Sequence, residues 1–368
     1  MKIGLVAHDL TALDGRGLQR YTAGLARALA ATPGVELVLF SRTVPLPVFD
    51  DIAARREVWL GRREVIWEQV DLPLRVWRRG IDVLHAPCNL GLPAFAPCPT
   101  VLTRHDEIRR MLPPDFPGNV RGRFRTFYAE QISIRRASRI VAVSEHSRDD
   151  ILRAWKLDIE KVIVCGEGID RRFFDEIPLS EIRRVREGWE LTRPYILYVG
   201  GFERRKDVLT LLDAFVSLKQ PGLMLALCGP LRGEGEMIKK RVQENGHAQQ
   251  VRITGRVPDH DLPALYAGCE LFVYPSRYEG FGLQAVEAMA CGAPVLSSDG
   301  GSLPEIVGDA GRIFPAGNVE LCAQSIKILI EDKQELERLQ SQGRRRADLF
   351  RWERIIDNYL SLYQQLAA

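Results

Sequence analysis

No C-x-x-C pair occurs in this chain. Its seven cysteines (88, 98, 165, 228, 269, 291 and 322) show no metal-ligand spacing. Most lie in apolar runs, as Cys228 does in LMLALCG, so they read as small buried hydrophobes in a reducing compartment. A long uncharged apolar stretch is also missing, which excludes a membrane-spanning helix. The N-terminus, MKIGLVAHDL, meets a charge after a short apolar run and offers no cleavage site. It reads as neither a signal peptide nor a span, and the expected location is cytoplasmic. Excess charge of one sign is absent too: 51 Lys+Arg against 48 Asp+Glu leave +3, which gives no electrostatic footprint for nucleic acid. Repeats and low-complexity tracts do not occur. What remains is a globular composition, 46% hydrophobic and 27% charged, over 368 residues, a length that suits two cores better than one.

Short apolar runs alternate with amphipathic stretches. In the first half the runs are 2–7, 35–40, 81–86, 100–103, 139–144 and 161–165; in the second they are 195–200, 223–229, 251–255, 271–276, 294–298 and 311–314. Continuous apolarity marks strands buried on both faces, hence parallel sheet. The βαβ rhythm predicts an α/β protein of two doubly wound, Rossmann-like domains facing a cleft. The charged stretch 166–194, with Pro178 and Pro194, reads as the connection. The domains are therefore expected at 1–172 and 190–350, with a C-terminal helix (351–368) packing back on the first.

Residues 276–311, SRYEGFGLQAVEAMACGAPVLSSDGGSLPEIVGDAG, are the most informative. A strand ends at Pro275, a loop follows, and a helix opens near Phe281 and Gly282. Its first amides, on Gly282, Leu283 and Gln284, lack helical acceptors and form an anion site suited to a diphosphate. The small Gly282 is expected to let a ligand approach the backbone. Glu279 and Glu287, eight residues apart, are better suited to sugar hydroxyls than to phosphate. That spacing alone is common; strand, Glu, Gly-Phe-Gly, helix, Glu, Cys-Gly-Ala-Pro and strand in succession are not.

EGFGLQAVEAMACGAPV resembles the E-x7-E signature of the retaining GT-B transferases called glycosyltransferase family four, in the mannosyl- and rhamnosyltransferase-like branch of bacterial polysaccharide synthesis. RYTAGLARAL, VLTRHDEI, RIVAVSEHSRDDI, YILYVGGFERRKDV, ITGRVPDHDLPALYAGCELFVYPS and SLPEIVGDAG resemble that family's blocks in the same order. The resemblance implies a GT-B fold and a hexosyltransferase acting on a nucleoside-diphosphate sugar, GDP-mannose first with UDP-sugars open. The acceptor it implies is a glycan or a lipid-linked saccharide. It implies that Glu279 meets donor-sugar hydroxyls and Glu287 the ribose.

Lys206 follows the strand 195–200, where a cation can stabilise a leaving diphosphate. The family usually places an Arg at the position held here by Gly201, and Arg205 is the expected substitute. Gly15 and Gly17, between the first strand and helix, form a plain βα turn or, by the resemblance, a loop over the donor phosphates. His105 follows the strand 100–103 and by resemblance lies near the donor sugar; His85 is a lesser candidate. Arg256, Val257 and Gly229, beside Pro230, are expected around the nucleobase. Asp259-His260-Asp261 superficially matches a metal-binding D-x-D, but it precedes LPALYAG and reads as a helix N-cap with Pro263 in the first turn. No metal or other cofactor is expected.

Residues 104–139 hold nine Arg against four acids, with Phe116, Phe124, Phe127 and Tyr128 interleaved. This is either a solvated helix face or a peripheral contact with an anionic membrane at its inner surface. Two other function classes compete. A dinucleotide-dependent dehydrogenase needs a third Gly where DGRGLQR has Arg20. A catalytically silent GT-B scaffold would not need Glu279, Glu287 and Lys206 together.

Overall fold

A computed structural model describes residues 1–11, 17–60, 63–112, 129–244 and 246–368. The chain divides into two compact units. One holds Met1–Met111, the chain up to Asp170, and Phe350–Ala368; the other holds Arg171–Leu349.

The first unit is a seven-stranded parallel sheet. Its strands are β1 (Lys2–Val6), β2 (Glu36–Ser41), β3 (Arg55–Val58), β4 (Val83–Ala86), β5 (Thr100–Arg104), β6 (Arg139–Ala142) and β7 (Val162–Val164), in the order β3-β2-β1-β4-β5-β6-β7. The second is six-stranded and parallel: β8 (Tyr195–Val199), β9 (Met224–Cys228), β10 (Val251–Gly255), β11 (Leu271–Tyr274), β12 (Val295–Ser298) and β13 (Arg312–Phe314), ordered β10-β9-β8-β11-β12-β13. Every apolar run read from the sequence is one of these strands. The strand the sequence did not reveal is β3, whose residues RREV carry charge because it forms an edge. In both sheets the order reverses beside the first strand, between β1 and β4 and between β8 and β11. Such a switch point opens a crevice at the strands' carboxyl ends.

The boundary between the units, Asp170 to Arg171, falls within the stretch 166–194, and the rest of that stretch is structured. Helix Leu179–Gly188 occupies it, and its Arg184 reaches Asp261 at 2.6 Å within the second unit.

The C-terminal helix Trp352–Ala367 belongs to the first unit. Trp352 fits against Gly24 and Gly168, where a Cβ would come within 2.1 and 2.5 Å of the indole. A side chain at either glycine would displace the ring, and Trp352→Ala would cost about 3–5 kcal/mol by the usual scale of buried aromatic deletions. Deeper in, buried hydroxyls form a chain. Tyr21 Oη contacts Thr103 Oγ1 (2.8 Å) and Tyr359 Oη (2.9 Å), and Tyr359 Oη donates to Gly166 O (2.7 Å). Each polar atom thus finds a partner away from water.

Candidate functional site

The switch point of the second sheet assembles the strongest cluster. After β8 the chain runs through Gly200-Gly201 into a tight 3-10 turn, Arg204–Lys206, closed by Asp207 at φ 49. Asp tolerates this left-handed conformation, and its carboxylate is tied down by Thr210 Oγ1 (3.0 Å) and Arg277 Nε (3.0 Å). The turn buries Lys206 and leaves Arg204 exposed, with Arg205 between the two.

After β11 comes the loop 275–282, held on two sides. Arg277 N–H donates to Arg205 O (2.7 Å), which fixes the loop to the Lys206 turn. Ser302 donates to Glu279 O from its N–H (3.0 Å) and from its hydroxyl (3.1 Å), and its hydroxyl also reaches Phe281 O (2.8 Å). Glu279 is thereby aimed at Lys206. Its Oε1 accepts from Lys206 Nζ (2.6 Å), Ser276 Oγ (2.5 Å) and Tyr274 Oη (3.1 Å), and Arg205 Nη1 stands 3.3 Å from both carboxylate oxygens. Among the described residues the loading is uneven, for Oε1 takes four donors and Oε2 only the long contact from Arg205.

Glu279 and Lys206 are both buried. Burial pushes the Glu279 carboxyl up, but the charges of Lys206 and Arg205 outweigh it and hold the group at about 2. Burial also pulls the Lys206 ammonium below its ordinary value, against the opposing pull of Glu279. The result is a desolvated ion pair with a second cation at its rim, able to meet an anion and a hydroxyl-bearing group together.

Tyr274, the last residue of β11, was not singled out by sequence. Its buried hydroxyl accepts from Lys206 Nζ (2.7 Å) and faces both Glu279 Oε1 and Gln284 Oε1 (2.8 Å). A tyrosine closing the otherwise hydrocarbon strand LFVY was the available signal. The serines and glycines of 298–302 were likewise visible as a motif, but not as the clamp on the loop.

Helix Leu283–Ala290 begins at Gly282, whose φ is 103. The reason for glycine differs from the one expected. The conformation is left-handed, and a Cβ would lie 2.6 Å from Leu303 Cδ2, so the space beside Gly282 is taken by protein rather than left for a ligand. Phe281 is buried, while Leu283 and Gln284 are partly exposed. Glu287 is buried on the same helix and accepts from Tyr266 Oη (3.0 Å), away from the Lys206 cluster. Gly229 follows β9. A Cβ there would fall 1.6 Å from Gly200 O, so the backbones ending β8 and β9 touch. Val257 is buried and Arg256 exposed.

Asp259 and Asp261 do not act as a capping pair. Asp261 occupies the N-cap position of helix Leu262–Ala267 without a side-chain cap bond. Its carboxylate goes to Arg184 (2.6 Å) and Trp189 Nε1 (3.1 Å), while Asp259 faces Arg172 at 3.6 Å. Long-range cations outcompete the local amide. Among the described residues no group of three or more His, Cys, Asp or Glu is placed to hold a metal ion.

In the first unit, His105 follows β5. Its Nε2 lies 2.8 Å from Pro87 O, which fixes the proton on that nitrogen, and its ring meets Tyr21 edge-on at 4.5 Å. Nδ1 is 4.0 Å from Glu167. Burial lowers its pKa, so it is a neutral side chain with Nδ1 as its acceptor. His85 is a core histidine, fully buried between Tyr363 Oη (2.6 Å) and Thr103 Oγ1 (2.8 Å) and pulled down to about 3 by burial. Gly17 opens helix Gly17–Ala31; Gly15 lies outside the described residues.

The basic stretch 104–139 is not one solvated face. Arg104 is buried, 2.7 Å from Glu107 and stacked over Trp155. Arg109, Arg110, Arg135 and Arg136 are exposed, whereas Arg121, Arg123, Arg125 and the aromatics Phe116, Phe124, Phe127 and Tyr128 lie outside the described residues.

Residues 15–173 match the family model of Glycosyltransferase Family 4, and residues 180–346 that of Glycosyl transferases group 1. The chain is 33% identical over 240 residues to the O-antigen chain mannosyltransferase B of Escherichia coli, a match covering 64% of this chain and 62% of that protein's length. It is 29% identical to the D-inositol 3-phosphate glycosyltransferase of Jonesia denitrificans over 96% of this chain and 92% of that one. Among solved structures, Anabaena Alr3699/HepE in complex with UDP and glucose superposes with a TM-score of 0.80 at 22% identity, covering 100% of both chains. Sucrose-phosphate synthase from Thermosynechococcus elongatus does so at 0.77 and 24%, covering 100% of this chain and 99% of that one. These two likenesses establish the GT-B fold.

Proposed function

The chain belongs to the glycosyl transferases of group 1, and from that premise we propose that it moves a hexose from a nucleoside-diphosphate sugar to a glycan or lipid-linked saccharide, with retention of anomeric configuration. The observation that carries this reading is the convergence of Lys206 and Arg205 on Glu279 at the carboxyl ends of β8 and β11. The donor diphosphate sits against the first amides of helix Leu283–Ala290, with Lys206 and Arg205 toward it. Glu279 offers Oε2 to a hydroxyl of the donor sugar while Oε1 stays bonded to Lys206. Glu287 takes the ribose, and Gly229, Arg256 and Val257 border the base.

In the reaction the bond from the anomeric carbon to the phosphate oxygen breaks, and its electron pair leaves with the diphosphate. The acceptor oxygen bonds to that carbon on the same face, and the acceptor's proton passes to the departing phosphate. Charge grows on the leaving group as the bond breaks, and buried cations there stabilise the transition state more than the ground state. His105, neutral with its proton committed to Pro87, accepts a sugar hydroxyl through Nδ1 and is assigned no proton transfer. The two cations take the role a metal would otherwise fill, so the reaction is proposed to need no metal.

The relatives suggest mannose: the E. coli protein carries mannosyltransferase in its name. GDP-mannose is the proposed donor, and cell-surface polysaccharide the proposed product. Seven unpaired cysteines suit a reducing cytoplasm, and among the described residues no helix is long and apolar enough to cross a membrane. The test is a thermal-shift series with GDP-, UDP- and ADP-sugars, since a bound donor raises apparent stability by mass action. NMR of the product then follows. An α-linked donor should give an α-glycoside, and a β-glycoside overturns the mechanism.

A further inference from the structure

Between β3 and β4 the first unit carries a helical run: Glu64–Ile66, a π turn at Trp67–Asp71, then Leu72–Arg79. One face is anchored. Trp67, Leu72 and Val76 belong to the hydrophobic core, and Trp67 packs on the His8 ring at 4.4 Å. The other face is apolar as well. Val65, Ile66, Val70, Leu74 and Trp77 are all exposed, Trp77 at 69%. Ile66, Val70, Leu74 and Trp77 follow at intervals of four, four and three, one stripe along a helix. Phe95, 74% exposed, stands beside it, because the neighbouring Ala94 N–H is bonded to Gln69 Oε1 at 2.7 Å on this helix. Soluble surfaces scatter such side chains singly; a continuous stripe marks a surface for something apolar.

Charge decides what. Arg63 precedes the helix and Arg78 adjoins Trp77. Both are exposed, and neither has an ion-pair partner among the described residues. Most of the acids are withdrawn. Asp71 is buried and Glu57 takes both Arg75 and Arg79, which leaves Glu64, 3.7 Å from Arg42, as the exposed acid of the run. Burial, with the nearby Glu64, pushes the partly buried Glu68 up to about 7, which further lowers negative charge here. Two copies of this face meeting about a two-fold axis would set like arginines against each other. An aliphatic stripe with a tryptophan at its margin and arginines at its ends fits a bilayer interface carrying anionic headgroups.

We propose that this helix face docks the protein on an anionic membrane surface, with Ile66, Val70, Leu74, Trp77 and Phe95 entering the headgroup layer and Arg63 and Arg78 meeting lipid phosphates. The docking is independent of the transfer reaction, and its readout is lipid binding alone. It lies outside the stretch 104–139 to which the sequence drew attention.

The full chain is sedimented with phosphatidylcholine vesicles, with and without phosphatidylglycerol. Binding is expected to the anionic vesicles and to weaken with salt. Leu74→Gln/Trp77→Gln should lower the partition by roughly 10-fold or more, as lost apolar insertion requires. Arg63→Gln/Arg78→Gln should erase the preference for phosphatidylglycerol, and Arg135→Gln/Arg136→Gln should bind as wild type. Independently of these, lipids brominated on the acyl chain should quench the fluorescence of wild type more than that of Trp77→Phe. The proposal is overturned if Leu74→Gln/Trp77→Gln binds undiminished, or if Arg135→Gln/Arg136→Gln is the variant that loses binding. It is equally overturned by a dimer in lipid-free solution that Leu74→Gln/Trp77→Gln dissolves, since a second copy would then be the occupant.

Discussion

Replacing Lys206 by Met keeps the length of the stem and removes only the charge. Glu279 then remains buried with its principal cation gone and Arg205 at 3.3 Å as its remaining one. The hold on the carboxylate in the native protein gives the scale: from an ordinary 4.5 to about 2 corresponds to roughly 3 kcal/mol favouring the charged form. That agrees with the about 3–5 kcal/mol lost on breaking one side of a buried ion pair. For a unit of this size about 1 kcal/mol moves Tm by roughly 2–4 °C, so Lys206→Met should melt roughly 6–12 °C lower in the transition of Arg171–Leu349. Lys206→Met/Glu279→Gln should recover most of that loss, because no unpaired charge stays behind. Activity should behave differently. Both variants should turn over roughly 10²-fold more slowly or worse, the scale for losing a transition-state charge donor. Arg205→Ala should approach the same kinetic loss with a smaller shift in Tm, since Arg205 is less buried than Lys206, and exposed Arg204→Ala should match wild type in both assays. The pH dependence gives a further check. A depressed carboxyl stabilises the fold fully above its unfolded value near 4.5, and that share is lost as pH falls toward 2, so Glu279→Gln should lack this acid-labile portion. The reasoning fails if Lys206→Met melts with wild type, or if the double variant melts no higher than the single one. Equal small kinetic losses at Arg204 and Arg205 would assign the second charge to another residue, such as Arg16 between Gly15 and Gly17 in the loop after the first strand.

Tyr274→Phe removes one hydroxyl from between Lys206, Glu279 and Gln284 and leaves all three in place. Turnover should fall roughly 10-fold, about one hydrogen bond's worth, with donor KM near wild type; a rise in KM at unchanged kcat would make Tyr274 a binding residue instead. His85 stays neutral in the folded state down to about 3, whereas the unfolded chain takes up its proton near 6.5. Its contribution to stability is therefore full above pH 6.5 and declines as pH falls toward 3, so His85→Gln should flatten the dependence of Tm on pH across that window in the first unit's transition. An unchanged slope would refute the assignment.

The strands were legible because buried parallel strands leave continuous apolar runs, as YILYV and LFVY do, and that pattern needs no partner to be recognised. The edge strand β3 was not, since RREV needs apolar residues on neither outer side. Glu279, Lys206 and the helix opening at Gly282 were visible because a functional loop must follow a strand and precede a helix. Their convergence was not visible, for the two side chains are 73 residues apart and meet only when β8 and β11 become neighbours. Local reasoning misjudged side chains whose partners come from afar. Arg104 looked like part of a basic surface until Trp155, from a separate helix, covered the guanidinium that Glu107 pairs with. Asp261 looked like a cap until Arg184, 77 residues away, claimed its carboxylate. The exposed stripe from Ile66 to Trp77 reads in sequence like any amphipathic helix. Which apolar residues face the core and which face outward depends on where the π turn at Trp67–Asp71 rotates the face, and on how Trp67 anchors beside His8. Sequence by itself determined the element types, the parallel sheets and the loop chemistry at 276–311, because each is written in local pattern. Tertiary structure alone decided which charges are paired, which faces stay uncovered and which hydroxyl bridges Lys206 to Glu279, because burial and pairing are properties of neighbours that chain order does not specify.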